Sequence, residues 1–388
     1  MSKRQQIDEL YYIRAIAAFG IFTIHATGGF ALFSEFGSKA MWLGTFLNQF
    51  FRFGTPVFMM VSGFVLFYNY RTPDEFNPKA FYKKKFTFII IPYVVWSIAY
   101  FLFSVYMYGV QFNQATVADF LRKLPVGDTF AHLYFIFLIV QFYVLFPLII
   151  KYLSNSMKNK PLLVTAAVFM LQAVILIYEF YFKKTTNFAI INFINTYFWK
   201  TVIGWFFYFI MGGIFAYHYE KVVRIIDEKI KTIFVLYFGG LLLFVGEPYL
   251  NMYINQSRDY FERYGSIRPT NMIYAILTFA VLVWVTRRIK EYDNVAIKLF
   301  KSFGMYSLGV YFAHPMVLEF LKMKLMWMFP NVIGYGRVSS VIIIIGLGWI
   351  LTMGLCYFIA LFNWRWLFIG KVPSLLNKKS ETKTVRAQ

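Results

Sequence analysis

Residues 10–33 read LYYIRAIAAFGIFTIHATGGFALF. The run is apolar and long enough to cross a bilayer as one helix, for which about 20 residues suffice. Yet Arg14 stands near its start and His25 past its middle. Eleven residues at about 100° each come to roughly three full turns, so the two side chains share one helix face, about 16 Å apart along the axis. An ionisable side chain inside a span is costly, and its default reading is a buried site with a partner. Snorkelling to the interface would account for Arg14 alone, and an interhelical hydrogen bond for His25 alone. Their shared face shifts the reading toward function.

The rest of the chain agrees that the solvent is lipid. Of 388 residues, 59% are hydrophobic, 22% aromatic and only 15% charged, with a mean hydropathy of +0.57. A soluble domain cannot bury that much apolar surface, so the expectation is an all-α polytopic membrane protein. The net charge of +21 does not collect in a soluble basic domain, and no nucleic-acid partner is expected. It falls between apolar runs, the pattern that membrane orientation produces. The lone cysteine, Cys356, sits in an apolar run and reads as a small core residue. No cleavage site follows the first run, so no removable leader is expected.

Ten apolar runs have spanning length, roughly 10–33, 41–70, 86–109, 132–153, 161–182, 200–219, 231–250, 270–286, 303–323 and 338–362. An even count places both termini on one side. Basic residues mark that side: Arg71, Lys79 and Lys83 to Lys85; Arg287, Arg288, Lys290, Lys298 and Lys301; and the tail with Lys371, Lys378, Lys379, Lys383 and Arg386. The positive-inside rule makes it the cytoplasm. The expected organisation is one transmembrane domain over 1–370 and a short basic cytoplasmic tail over 371–388. The outer loops 110–131, 183–199 and 251–269 are long, and Asn187, Asn192, Asn195, Tyr197, Asn251, Tyr253 and Asn255 either line an extracellular mouth or belong to the usual interfacial belt.

Arg52 lies about a dozen residues into the second run, too deep to snorkel, with no cluster of acids nearby in sequence. It is expected to face a wet cavity or an anionic ligand. Pro56 breaks the backbone ladder close by, and Ser62-Gly63 permits close helix approach. Lys83, Lys84 and Lys85 at the entrance of the third run either anchor it to headgroups or receive a polyphosphate ligand. His132 opens the fourth run near the outer surface, and His218 ends the sixth. His314 precedes Pro315 inside the ninth, where a kink frees carbonyls and makes room for water. No histidine pair has metal-ligand spacing, so no metal is expected. Glu179, Glu247 and Glu319 fall toward outer ends. The deep groups Arg14, His25, Arg52 and His314 are therefore cationic or neutral, which suits an anionic ligand.

These residues carry a family likeness. The chain resembles the acyltransferase-3 family of integral-membrane O-acyltransferases. The likeness rests on Arg14 to His25; on Arg52, Pro56, Phe58, Ser62, Gly63 and Phe64; on Lys83 to Lys85 with Pro92 and Tyr93; on His132, Leu133, Tyr134 and Phe135; and on Tyr306, Ser307, Tyr311, His314 and Pro315. Each motif is weak alone, but five in order are specific. Local runs such as ELYYIRAI, FGTPVF and GWFFYFIMGG look most like members that act on poly-N-acetylglucosamine. Many members also carry an esterase-like extracellular domain, which here is expected to be a separate protein or absent.

The resemblance implies transfer of a short acyl group, acetyl or succinyl, from cytoplasmic acyl-CoA to a hydroxyl of a surface polysaccharide or lipid-linked glycan. Acyl-CoA is then a substrate, with no tightly bound cofactor expected. Arg14, His25 and Arg52 are the implied catalytic residues, and Lys83, Lys84, Lys85, Ser62, Tyr134 and His314 the implied substrate contacts. Donor phosphates would sit at Arg14 and the lysines, and the thioester would reach His25. Its imidazole, with an ordinary pKa near working pH, serves as general base or takes the acyl group itself. Arg52 would face the oxyanion. The residues do not choose between direct transfer and an acyl-histidine relay. A rival reading is an exporter of a polysaccharide such as poly-N-acetylglucosamine, against which stand the lack of midplane acids and of a P-loop. A second is an assembly subunit for a glycan synthase.

Overall fold

The structure is a computed structural model that describes residues 7–182, 188, 192, 196–257 and 265–372. Asn187, Asn195 and the tail residues Lys378, Lys379, Lys383 and Arg386 lie outside the described residues. Among the described residues every regular element is helical: α1 (Glu9–Phe33), α2 (Lys39–Phe50), α3 (Gly54–Asn69), α4 (Pro78–Lys85), α5 (Ile91–Tyr108), α6 (Gln114–Lys123), α7 (Tyr134–Asn159), α8 (Pro161–Ile177), α9 (Phe206–Tyr217), α10 (Tyr219–Glu228), α11 (Ile230–Asn255), α12 (Pro269–Ile289), α13 (Val295–Met305), α14 (Ser307–Met328), α15 (Val338–Ala360) and α16 (Trp366–Ile369), with short 3-10 and π turns between them.

Among the described residues, eight helical stretches are long and apolar enough to cross a membrane. Three of these are composite: α2 continues into α3 as Lys39–Asn69, α4 into α5 as Pro78–Tyr108, and α8 into a π turn as Pro161–Phe182. The protein is a multi-pass membrane protein. The other two of the ten apolar runs also form helices but fall short for different reasons. Helix α9 has only 12 residues, about 18 Å at helical rise against the roughly 30 Å of a hydrocarbon core. Helix α14 has 22 residues but carries Glu319, Lys322 and Lys324 beside His314.

Helix α1 is central, with Ile13, Ala17, Phe22, Ala26, Phe30 and Ala31 all but inaccessible. Helices α8 and α11 are peripheral and present bare apolar side chains such as Leu162, Leu171, Leu242 and Leu243. That inversion of the soluble pattern is what lipid permits. Close approach is set by small residues. A Cβ at Gly212 would lie 1.9 Å from the Met60 carbonyl oxygen, and one at Gly63 2.1 Å from that of Phe209. Helices α3 and α9 thus touch backbone to backbone, which assigns Gly63 to packing. At Gly304 a Cβ would lie 1.8 Å from the Tyr11 carbonyl, seating α13 on α1 in the same way.

Pro56 does break the second run, but three to five residues upstream. Proline has no N–H for the carbonyl four residues before it, and that residue is Arg52. The chain takes a 3-10 turn over Phe51–Phe53 and restarts as α3 with Pro56 in its first turn. Arg52 therefore sits in the turn itself.

The basic segments gather at one end. Lys290 pairs with Glu9 at 2.6 Å and Lys301 with Asp8 at 2.6 Å. Tyr219 donates to Glu9, and Tyr217 to the Arg71 carbonyl. The His218 Nε2 donates to the Met157 carbonyl. Burial pushes the Asp227 carboxyl up, but the hydrogen bond and charge of Arg287, with Arg288 behind it, outweigh that and hold it below the usual carboxylate range. At the other end Lys200, 3% exposed, pairs with Asp128 at 2.6 Å, and Gln141 donates to the Lys200 carbonyl. Arg268 is fully buried over the Phe244 ring and bonds Glu247 and Gln49.

Candidate active site

Three histidines meet in the middle of the bundle. The ring centroids of His25 on α1 and His314 on α14 lie 5.0 Å apart. His132, just before α7, lies 5.4 Å from His314 and 6.4 Å from His25. The sequence reading put His132 near the outer surface; it is 3% exposed and packed against Tyr100, Phe130 and Tyr311. His132 and Leu133 turn inward before α7 begins, which a span boundary drawn from hydropathy does not reveal. Among the described residues no group of three histidines, cysteines or carboxylates is arranged to hold a metal ion.

Pro315, inside α14, builds this centre. Proline removes the N–H that would bond the Tyr311 carbonyl, and the Nδ1 of His314 supplies a donor to that carbonyl and to Val310, both at 2.9 Å. One residue on, the Tyr100 hydroxyl enters the ladder: it donates to the Phe312 carbonyl at 2.7 Å and accepts from the Met316 N–H at 3.2 Å. A side chain inserted between backbone partners is a recognised cause of helix bending. His314 is thereby held by its own helix.

His25 is fixed from both sides. The buried Lys322, on α14, donates its Nζ to the His25 carbonyl at 3.1 Å. The neighbouring Ile24 carbonyl accepts from Asn48 Nδ2 at 2.9 Å. Asn48 Oδ1 in turn accepts from Arg52 Nη2 at 2.8 Å and Nε at 3.2 Å. A chain of hydrogen bonds thus ties the guanidinium to the helix that carries His25. Arg52 lies on a cavity of about 640 Å³, whose lining includes His25, Thr55, Tyr134, Glu179 and Trp199. The expected acid-free surroundings are modified by Glu179, which sequence distance hides and the fold brings to the same wall. Tyr134 and Trp199 meet edge to face at 4.5 Å, a surface suited to the apolar face of a sugar.

Arg14 lines a second cavity of about 230 Å³ with Ser62, Lys85, Tyr143, Ser307 and Tyr311. Its Nε donates to Ser307 Oγ at 3.1 Å. The Lys85 ammonium lies 4.0 Å over the Tyr143 ring. Of the three lysines, Lys85 reaches this cavity, while Lys83 and Lys84 are exposed outside it. Ser62 lines the cavity even though its hydroxyl donates to its own helix at Phe58.

Arg14 and His25 thus share a helix face but not a cavity. Ile21 lies between them on that face and lines both spaces. It packs so closely on Gly54 that a Cβ there would lie 2.9 Å from its Cγ1. Phe58 and Phe135 flank the inner side, their rings 6.5 Å apart, while Thr55 and Tyr134 flank the outer. The resemblance implies a donor that reaches from Arg14 to His25; the structure has two cavities along that path, with Ile21 at the boundary they share. The contributions of Lys322, Asn48 and Ile21 were not singled out from sequence. The heptad spacing 14, 21, 25 was the available signal for Ile21.

The profile of a family described as an acyltransferase domain matches residues 7–361. A protein from Staphylococcus epidermidis named probable poly-beta-1,6-N-acetyl-D-glucosamine export protein is 24% identical over 90% of this chain and 89% of its own length. One of the same name from Staphylococcus aureus strain Mu50 is 24% identical over 95% of this chain and 97% of its own. No solved structure matches the chain. With a family profile covering nearly its whole length, the chain belongs to the acyltransferase-3 family and is a membrane acyltransferase.

Proposed function

We propose that this acyltransferase moves a short acyl group, acetyl or succinyl, from cytoplasmic acyl-CoA to a hydroxyl of a bacterial surface polysaccharide, of which poly-N-acetylglucosamine is the first candidate given the names of the relatives. The observation that carries the reading is the pair of chambers on one face of α1. One holds Arg14 and Lys85 and the other His25 and Arg52, with Ile21 in both linings. The smaller chamber suits the arm and proximal phosphate of the donor, two cations facing an anion in a poorly solvated site. The larger has room for sugar residues and an aromatic surface to stack them.

In this mechanism an acceptor hydroxyl enters the larger chamber and gives its proton to His25 as its oxygen attacks the thioester carbonyl. Arg52, held by Asn48, faces the oxyanion. The C–S bond breaks as the intermediate collapses, and the CoA thiolate receives the proton from His25, so the products are the ester and free thiol. In the relay variant a His25 nitrogen attacks the thioester and the CoA thiolate leaves; the acceptor oxygen then displaces the imidazole from the acyl group, and the hydroxyl proton ends on the thiolate.

The test is mass spectrometry of the surface glycan from a deletion strain. Loss of ester groups with normal export supports transfer. Loss of export selects the transporter reading, and loss of synthesis an assembly role. For the donor, Lys85→Gln is expected to raise the apparent KM for acyl-CoA by about tenfold, the equivalent of roughly 1.4 kcal/mol, while Lys83→Gln and Lys84→Gln leave it within about twofold. Equal effects of all three substitutions would return the lysines to membrane anchoring.

A further inference from the structure

Building on the proposed role of His25 as base, we infer that His314 is its positioning partner: the His314 Nε2, turned toward His25 and barred from donating, fixes which nitrogen of His25 carries the hydrogen. Both groups bonded to His314 Nδ1 are carbonyl oxygens, at 2.9 Å each. Carbonyls only accept, so Nδ1 carries the hydrogen, and in the neutral ring Nε2 is a bare acceptor. Nδ1 points back at its own helix, so Nε2, on the opposite edge, points away from α14. It is buried and has no hydrogen-bond partner, in a residue only 1% exposed.

What faces it is the rest of the cluster. His25 is the nearer imidazole at 5.0 Å between centroids, and His132 is next at 5.4 Å. The Phe312 carbonyl, already engaged by Tyr100, lies near His132 without closing a hydrogen bond. Buried acceptors are rarely left unsatisfied; His132 also has two buried nitrogens without a partner, but His25 is the nearer ring, and its N–H makes this bond. That bond would leave the other His25 nitrogen as a lone pair for the large chamber that His25 lines. A second group that orients a base and sets its tautomer is the logic of catalytic triads, here with a carbonyl-locked histidine in place of a carboxylate. A neutral partner also adds no negative charge to a site that must accept an oxyanion.

The pair His314→Asn and His314→Gln tests this in purified protein reconstituted in phospholipid vesicles, with acetyl-CoA or succinyl-CoA as donor and a poly-N-acetylglucosamine oligomer as acceptor. Asparagine keeps a donor near Nδ1 but nothing at Nε2, whereas glutamine sets its amide oxygen close to the Nε2 position. His314→Asn is expected to lower kcat about 100-fold with both KM values within about twofold, and His314→Gln to recover at least tenfold of that loss. Magic-angle-spinning NMR of ¹⁵N-histidine-labelled wild-type protein is expected to show His314 protonated on Nδ1 and His25 in one tautomer, with His25 mixed in His314→Asn. Wild-type kcat in His314→Asn, or a rise in KM alone, would overturn the inference, as would an Nε2-protonated His314 in the wild-type spectrum. If His25→Ala itself transfers at the wild-type rate, the base assignment fails; if only the His314 variants do, this inference alone fails.

Discussion

Alanine at His25 is expected to lower ester formation by about 10²–10⁴-fold, the range over which positioned acid–base groups act. Donor binding is expected to survive. The residues that would hold the CoA arm, Arg14 and Lys85, line the other chamber, and the helix around His25 is held through backbone carbonyls by Asn48 and Lys322 rather than through the imidazole. The measurement is transfer from labelled acyl-CoA to oligosaccharide at matched protein levels, with donor affinity read separately. A variant that transfers at the wild-type rate would remove His25 from the chemistry. A rapid-quench single turnover of the wild type extends the experiment: an acyl adduct on His25 selects the relay, and loss of thioester concurrent with ester formation selects direct transfer.

The second large effect is expected at a residue with no reactive group. Ile21→Trp adds a ring system to the wall between the chambers, where Gly54 already leaves no slack. Transfer is expected to fall at least about 100-fold, since small misplacements of reacting groups cost that much, with donor affinity within about threefold. Ile21→Ala should act in the opposite sense, admitting water from the larger chamber and raising acceptor-independent thioester hydrolysis. Wild-type transfer by Ile21→Trp would mean that the acyl group takes another route.

Much of this site could be read in the linear chain because membrane burial makes ionisable residues conspicuous. Arg14, His25, Arg52 and His314 were visible as polar groups in the wrong solvent, and the fold places all four around the two chambers or the histidine centre. Less visible was anything decided by where a helix begins. His132 looked peripheral because hydropathy sees only the run after it, whereas His132 and Leu133 fold inward. Of the ten apolar runs, eight meet the length and polarity of an ordinary span among the described residues, while α9 is short and α14 carries charges. Lys83, Lys84 and Lys85 are alike in sequence, yet only Lys85 faces inward, over Tyr143. And Glu179 enters the Arg52 chamber from α8's end, a meeting that no local pattern encodes.

The Ile21 wall has an electrical side. If each chamber is wetted from its own face of the membrane, the transmembrane voltage falls mainly across that thin partition rather than across the full bilayer. A succinyl group would carry its carboxylate charge across it, whereas an acetyl group crosses without charge. The proton that leaves the acceptor on one side and reaches the thiolate on the other does not, and each elementary charge traversing the full drop is worth about 2.3 kcal/mol per 100 mV. The turnover of a cell-surface modification would then respond to the energised state of the membrane, and vesicles poised at opposite potassium diffusion potentials would reveal it as unequal rates of ester formation.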